Sequence, residues 1–230
     1  MKKILTILTL LIAIGASLFA GDLASFINLG FSEDSRYFMF AQYGMDGETS
    51  FPYSELYTVD VHTNQYVPGG VVKETFTTSP QIGQDGTGAM LSLFLDAKDE
   101  IEELDISPLL TGRLVYLLVN GAEPKSQISF RDFRHGSHYQ VTLNQEQFGA
   151  DDDLSAAFHI NLSVTDSEGN IDTYTIGLPN YKRSGVRQYK IRRVFFSPDE
   201  TSLVFVIEKE ENDETGAINI RYMVETVHFN

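Results

Sequence analysis

The densest group of ligand-binding side chains in this sequence is a basic segment near residue 190. Its six cations are Lys182, Arg183, Arg187, Lys190, Arg192 and Arg193. Guanidinium and ammonium groups bind carboxylates through charge-assisted hydrogen bonds, so the segment predicts a site for a carboxylate-bearing glycan or an acidic protein face. The alternative, which we favour from the sequence, is that these cations neutralise the protein's own acidic surface, for example at residues 151–153.

Oxygen-rich turns offer a second kind of chemistry, the binding of calcium. Carboxylates cluster at residues 151–153 and recur over 166–172. The second stretch lacks the glycine position and the distal glutamate of an EF-hand loop, and its glycine and asparagine favour a hairpin turn. His135 and His138 are the closest histidine pair, and their spacing supplies no third or fourth zinc ligand. We therefore expect no cofactor and no metal site, with calcium at the acidic turns as the alternative.

No recognisable arrangement of catalytic residues stands out. The sequence has no cysteine, no Gly-x-Ser-x-Gly elbow and no glycine-rich phosphate loop leading into a helix. Its 32 carboxylates leave a glycosidase-type pair open without singling out two of them. There is no tryptophan, so the stacking of sugars would fall to the eleven tyrosines. The leading interpretation is a non-enzymatic binding or scaffolding module of the cell envelope, and the alternative is a secreted hydrolase acting on envelope or extracellular polymers.

The N-terminus has the three-part order of a secretory signal. Lys2 and Lys3 are followed by an apolar run over residues 4–19 and then by the small residue Ala20. The run is shorter than the ~20 residues of a membrane span. The sequence thus predicts a cleaved signal at residues 1–20, a single secreted domain at 21–230, and a periplasmic or extracellular destination without a later membrane span.

Charge and the missing cysteines restrict the partners and the stabilisation of this domain. The formal net charge is −15 at pH 7, and it is more negative still without Lys2 and Lys3. A field of this sign repels nucleic-acid phosphates and anionic lipids, so we expect no nucleic-acid partner. The expected partner is a protein or, through the basic segment, an anionic envelope component. Without cysteine there are no disulfides, and the hydrophobic core must stabilise the fold.

Most of the chain alternates apolar and polar residues between turn residues, which is typical of short strands. The predicted strands lie at residues 24–31, 36–43, 55–61, 66–72, 113–119, 127–133, 138–143, 157–165, 171–177, 187–196, 202–208 and 217–229. One amphipathic helix is predicted near 88–104, capped by Asp85 or Thr87 and ended by Pro108. The predicted fold is mainly β, with antiparallel meanders in a two-layer sandwich or a partial propeller-like arrangement.

A ten-residue motif occurs twice. Phe31-Ser-Glu-Asp-Ser-Arg-Tyr-Phe-Met-Phe40 aligns with Phe196-Ser-Pro-Asp-Glu-Thr-Ser-Leu-Val-Phe205. Each copy reads as a strand end, a turn in which Ser and Asp bond backbone amides, and a second strand. The motif resembles the Phe-Ser-Pro-Asp-Gly hairpins of TolB-like and WD40-like β-propellers, except that Ser35 and Glu200 replace the glycine. The resemblance implies hairpins of the propeller-blade type rather than a complete propeller.

The whole chain after residue 20 resembles a family of predicted secreted bacterial proteins of unknown function. The resemblance rests on the order Ala24-Ser-Phe-Ile-Asn-Leu-Gly-Phe-Ser32, Arg36-Tyr-Phe-x-Phe40, Glu55-Leu-Tyr-x-Val-Asp60 and Val67-Pro-Gly-Gly70, with Phe-Ser-Pro-Asp again near the C-terminus. It implies export. It assigns no catalytic residue, because the family has no known activity.

Overall fold

The computed structural model describes residues 21–78, 80–81, 83–150, 153–213 and 216–229, so the predicted signal at 1–20 lies outside the described residues. Three antiparallel sheets make up the fold. The N-terminal sheet has the order β4-β3-β2-β1-β5, formed by β1 (Ser25–Ser32), β2 (Tyr37–Met45), β3 (Pro52–Asp60), β4 (Gln65–Thr75) and β5 (Ile106–Ser107). The central sheet has the order β14-β13-β12-β6, formed by β6 (Arg113–Leu117), β12 (Val186–Phe196), β13 (Ser202–Asn212) and β14 (Ile218–His228).

The third sheet, called the outer sheet, has the order β10-β9-β8-β7. It is formed by β7 (Gln127–Asp132), β8 (Ser137–Phe148), β9 (Ser155–Thr165) and β10 (Ile171–Ile176), with the short β11 (Arg183–Ser184) also paired to β9. The mainly β, antiparallel meander architecture is therefore confirmed, and both the sandwich and the partial-propeller alternatives are compatible with it.

The central sheet buries both of its faces. Leu203, Phe205 and Ile207 of β13 pack towards the outer sheet, while Val204 and Val206 pack towards the N-terminal sheet. All five side chains are fully buried. Successive strand residues point to opposite faces, so a strand covered on both sides needs apolar residues without alternation. The three sheets thus stack in layers, with the central sheet in the middle.

The helical segment covers the remaining face of the N-terminal sheet. It consists of two helices, α1 (Thr87–Asp96) and α2 (Lys98–Glu103), rather than the single helix predicted from the sequence. Met90 and Leu93 of α1 pack on Met39 and Leu56. The predicted apolar stripe still packs against the sheet, because it continues from one helix to the other through Ala97. Asp85 accepts a hydrogen bond from the Thr87 amide at 3.0 Å, although α1 has no side-chain N-cap of its own.

The repeated motif forms two turns with the same hydrogen bonds. Ser32 donates to Asp34 at 2.6 Å, and Ser197 donates to Asp199 at 2.5 Å. Ser35 and Glu200, the residues at the glycine position, have φ values of 63° and 64°. The turn therefore requires the left-handed conformation that glycine adopts most easily, and here Ser35 and Glu200 adopt it. The two turns also touch, since the Asp199 amide donates to Ser35 Oγ at 3.2 Å.

Gly30 allows β1 to pair closely with β5. Its φ is +107°, and a Cβ at this position would lie 2.0 Å from the carbonyl oxygen of Ser107. We expect Gly30→Ala to lower the free energy of unfolding by about 3 kcal/mol or more, because backbone strain and a main-chain clash add. Gly69→Ala is the matched control: φ is +81° there, but no atom lies within 4 Å, so only the strain of about 1 kcal/mol applies. Urea denaturation measures both, and equal losses would contradict this close contact.

Candidate functional site

A polar groove runs along the edge of the central sheet, between β14, β4 and the segment around β11. It comprises two adjoining cavities of about 500 and 440 Å³ that share Tyr66, Arg183 and Met223. We call it the tyrosine groove, because four tyrosines line it: Tyr57, Tyr66, Tyr181 and Tyr222. A further cavity of about 550 Å³ lies beside the start of α1. Its ionisable lining residue among the described ones is Asp85, whose carboxylate is already used by Thr87.

The cations that line the groove are paired, with one exception among the described residues. Lys73 contacts Glu55 at 3.2 Å, Lys209 pairs with Glu211, and Arg221 contacts Asp22 at 2.6 Å. The fourth lining cation in the described part of the chain, Arg183, forms no ion pair there. The groove therefore keeps one guanidinium available in a strongly acidic protein.

Aromatic rings hold the Arg183 side chain in place. Its guanidinium carbon lies 4.8 Å from the Tyr181 ring centre, 5.3 Å from that of Phe158 and 6.0 Å from that of Tyr189. Its Nη1 atom is buried and has no hydrogen-bond partner among the described residues. Cation–π contacts orient a guanidinium without neutralising its charge, so the half-buried Arg183, unpaired among the described residues, presents a positive charge to the groove.

Glu225 closes the end of the groove opposite the Lys73 side. Its side chain is buried, and Asn64 donates a hydrogen bond of 2.6 Å to its Oε2. Burial raises the pKa of Glu225, and the hydrogen bond from Asn64 and the charge of Arg183 offset this only in part. Gly177 leaves room for the carboxyl, since a Cβ there would lie 3.3 Å from it.

Glu55, in the other half of the groove, behaves in the opposite way. Burial opposes its ionisation, but hydrogen bonds from Tyr57 and Gln42 and the charge of Lys73 hold its pKa below the ordinary value. Between the two carboxyls, burial raises the pKa of the Tyr66 hydroxyl to about 12, with the charge of Glu225 adding to the effect. The groove thus contains two carboxyls whose surroundings drive their pKa values apart.

The six cations predicted from the sequence do not converge on one site. Lys190 contacts Glu208 at 3.2 Å and also pairs with Glu210, and Arg192 contacts Glu208 at 3.1 Å. These pairs are of the kind expected if the cations neutralise the protein's own acidic surface, and their carboxylates lie on β13.

The other four cations of the basic segment differ in their surroundings. Lys182 lies 3.6 Å from the ring centre of Phe148, and Arg193 stacks at 5.3 Å on Phe26. Arg187 is exposed on β12. Of the six, Arg183 is the one that lines the tyrosine groove.

A second polar cluster joins the outer sheet to the central sheet. Ligand atoms of Asp132, His135 and Glu200 lie within 4.8 Å of one another, which is the spacing of a metal-binding set. Arg113 donates to Glu200 at 2.9 Å and to Asp132 at 3.2 Å, and Arg134 also pairs with Glu200. Two arginines already balance the two carboxylates, so the cluster fits an ion-pair network better than a cation site. The sequence comparison of His135 with His138 missed it, because Asp132 was not considered and Glu200 comes from the distant turn between β12 and β13.

Of the acidic turns considered for calcium, residues 151 and 152 lie outside the described residues. The segment 166–170 is the predicted hairpin turn between β9 and β10. Asp166 accepts hydrogen bonds from the amides of Glu168 and Asn170 at 2.8 and 2.9 Å, and from the Asn170 side chain at 2.7 Å. Its carboxylate oxygens are therefore used by the turn itself.

Stacked antiparallel meanders with a polar groove at the edge of the central sheet define a mainly β protein with a cavity of ligand-binding size. The model of a family described as "Predicted secreted protein (DUF2259)" matches residues 39–228, and the chain belongs to this family. The family resemblance seen in the sequence is thereby confirmed. Neither the curated proteins nor the solved structures contain a match to this chain. Among the described residues, no helix is long and apolar enough to cross a membrane.

The ion-pair network predicts a specific loss of stability. Arg113→Met leaves the buried Asp132 without its guanidinium partner, so we expect the free energy of unfolding to fall by roughly 3 kcal/mol. Arg134→Met is the matched control, because this side chain is 66% exposed and its removal should cost less than about 1 kcal/mol. Urea denaturation at pH 7 measures both variants, and equal effects would contradict the network.

The same network has a defined pH dependence. Burial opposes ionisation of Asp132, but His135 and Arg113 hold its pKa below the ordinary value, and Arg113 does the same for Glu200. A lowered folded-state pKa contributes stability above the unfolded value of about 4, and this is lost as pH falls further. The difference between wild type and Arg113→Met should therefore shrink below about pH 4. A difference that stays constant down to pH 3 would show that Arg113 acts through packing alone.

Proposed function

We propose that this protein is an exported binding module that holds a saccharide in the tyrosine groove. The observation that carries the proposal is the lining of the groove: four tyrosines beside Arg183, a cation with no ion pair among the described residues. Aromatic faces stack on the C–H faces of sugar rings, and Tyr66 and Tyr181, which are 44% and 55% exposed, can present such faces beside the guanidinium. The combined size of the two cavities is in the range of small-ligand sites.

The groove is organised before a ligand arrives. Tyr57 stacks on Phe40 with ring centres 4.9 Å apart, and its hydroxyl donates to Glu55. Tyr66 lies against Tyr57 at 5.5 Å. Aromatic side chains fixed by such neighbours lose little rotamer freedom on binding, which favours affinity.

We further propose that the protein is exported and acts in the cell envelope. The secretory order of residues 1–20 and the description of the family as predicted secreted proteins both support a periplasmic or extracellular location. The partner would be an anionic envelope component. Of the six cations considered in the sequence, the proposal retains Arg183 as the ligand-binding one. The two Ser-x-Asp turns support hairpins of the propeller-blade type.

A second candidate function is hydrolysis of a glycosidic bond in the same groove. The specific observation is the pair of carboxyls with opposite pKa shifts: Glu225, which burial favours in the protonated form, and Glu55, which Tyr57 and Lys73 keep ionised. Such a pair would supply an acid and a base or nucleophile. An assay for the release of reducing ends from acidic and neutral polysaccharides by the purified protein tests this hypothesis. Turnover that Glu225→Gln abolishes would establish it and displace the non-enzymatic proposal.

Thermal stabilisation by ligand tests the binding proposal. We expect acidic oligosaccharides at a hundredfold their dissociation constant to stabilise the protein by ~2.7 kcal/mol. Tyr181→Ala should weaken binding about tenfold, because one stacked aromatic is worth about 0.5–1.5 kcal/mol beyond its buried area. Phe133→Ala removes an aromatic that is 85% exposed on the turn between β7 and β8, outside the groove, and should bind as wild type does. If no saccharide stabilises the protein, or if both variants behave alike, the groove is not the site.

A further inference from the structure

The two cavities of the groove differ in what they offer a ligand, and the difference points to its chemical class. This step rests on the proposed function. We infer that the groove selects a saccharide carrying a carboxylate, as a uronic acid does, and that the carboxylate sits between Arg183 and a protonated Glu225.

Arg183 is the anchor for the carboxylate. It lines both cavities, is half-buried rather than sealed from them, and forms no ion pair among the described residues. A guanidinium without a counter-ion binds a carboxylate more strongly than a neutral group, through charge-assisted hydrogen bonds. A neutral hydroxyl would satisfy the hydrogen bond but not the charge. The guanidinium therefore favours an anionic sugar over its neutral counterpart.

Glu225 decides under which conditions that carboxylate can bind. The groups that face it are Asn64 and Tyr66 from the β3–β4 hairpin, Arg183 from β11 and Tyr189 from β12. Arg183 is the one cation among them. A ligand carboxylate would bring a second anion to a single guanidinium, and in a buried site like charges at short range strongly disfavour ionisation of both. One proton on Glu225 restores the balance and lets it donate a hydrogen bond to the ligand.

Binding should accordingly take up a proton. A uronic-acid carboxylate stays ionised above about pH 4, like other carboxylates, so the proton goes to Glu225. At pH values below the pKa of Glu225, all of the protein is competent to bind. Above it, the competent fraction falls tenfold for each pH unit, and the affinity falls with it.

The experiment compares trigalacturonic acid with its fully methyl-esterified form, a neutral match of the same shape. Isothermal titration from pH 5 to 8 gives the affinities, and repetition in buffers of different ionisation enthalpy gives the protons taken up. For wild type we expect tighter binding of the acid than of the ester at pH 5, weakening up to tenfold per unit at high pH, and uptake approaching one proton. The ester should bind independently of pH.

Two variants separate the roles of the residues. Glu225→Gln keeps an acceptor for Asn64 and mimics the protonated acid, so it should bind trigalacturonic acid at all pH values as wild type does at pH 5. Arg183→Met should bind acid and ester equally. Arg187→Met removes an exposed cation from the adjacent strand and is the control that should behave as wild type. The wild-type proton uptake needs no variant, so a failure of Glu225→Gln to fold leaves the test intact.

The outcomes distinguish this inference from the proposal on which it rests. If trigalacturonic acid binds without proton uptake, or if Glu225→Gln keeps the wild-type pH dependence, the role of Glu225 is wrong while the groove remains a saccharide site. If the ester binds as tightly as the acid, the carboxylate selectivity is wrong. If neither sugar binds at any pH, both this inference and the proposed function fail.

Discussion

The rest of the structure depends on one constraint, the burial of the central sheet on both faces. Its strand β13 must be apolar at every position from Leu203 to Ile207, and all five of these side chains are fully buried. Each face then needs its own covering sheet, and the N-terminal sheet in turn needs α1 and α2 on its far side. Without disulfides, this layered burial supplies the stability of the domain. The groove lies where the layers end, at the edge strand β14.

The acidity of the chain explains why one cation in the groove matters. Most cations near the layers are used locally: Lys190 and Arg192 on Glu208, Arg113 on Asp132 and Glu200, Arg221 on Asp22. These pairs neutralise carboxylates that the layers bury or half-bury. Arg183 differs because it stacks among aromatic rings and forms no ion pair with a carboxylate among the described residues, although its charge acts on Glu225. A guanidinium oriented by rings keeps its capacity for an anion, whereas one in a bidentate ion pair does not.

The sequence predicts local structure well and the assembly of layers poorly. The alternation of apolar and polar residues located the strands to within a few residues, and the Ser-x-Asp motif predicted the two turns. The φ values of 63° and 64° at Ser35 and Glu200 explain why the Phe-Ser-Pro-Asp-Gly motif has a glycine at this position. The two-residue strands β5 and β11 carry no periodic signal and were missed. β6 pairs with β12 although the strands of the outer sheet lie between them in the sequence. Local patterns contain no information about such long-range neighbours.

The same reason limits prediction of the site. Tyr57, Tyr181 and Tyr222 come together from β3, the segment before β11 and β14, so no spacing in the sequence brings them to one surface. The basic segment was visible as composition, but only the fold separates Arg183 from the paired Lys190 and Arg192. Glu225 did leave a signal, because it is a carboxylate between Val224 and Thr226, and these three residues are the buried part of β14. Lone buried carboxylates are uncommon outside functional or paired settings.

The central claim is that the edge of the central sheet is the ligand site. Hydrogen–deuterium exchange of the purified protein, with and without trigalacturonic acid at pH 5, tests it most directly. We expect slower exchange at the three walls of the groove, in β4, around Arg183 and in β14, with α1 unchanged. Protection confined to α1 or to the turn that carries Asp132 and His135, with none along β14, would contradict it.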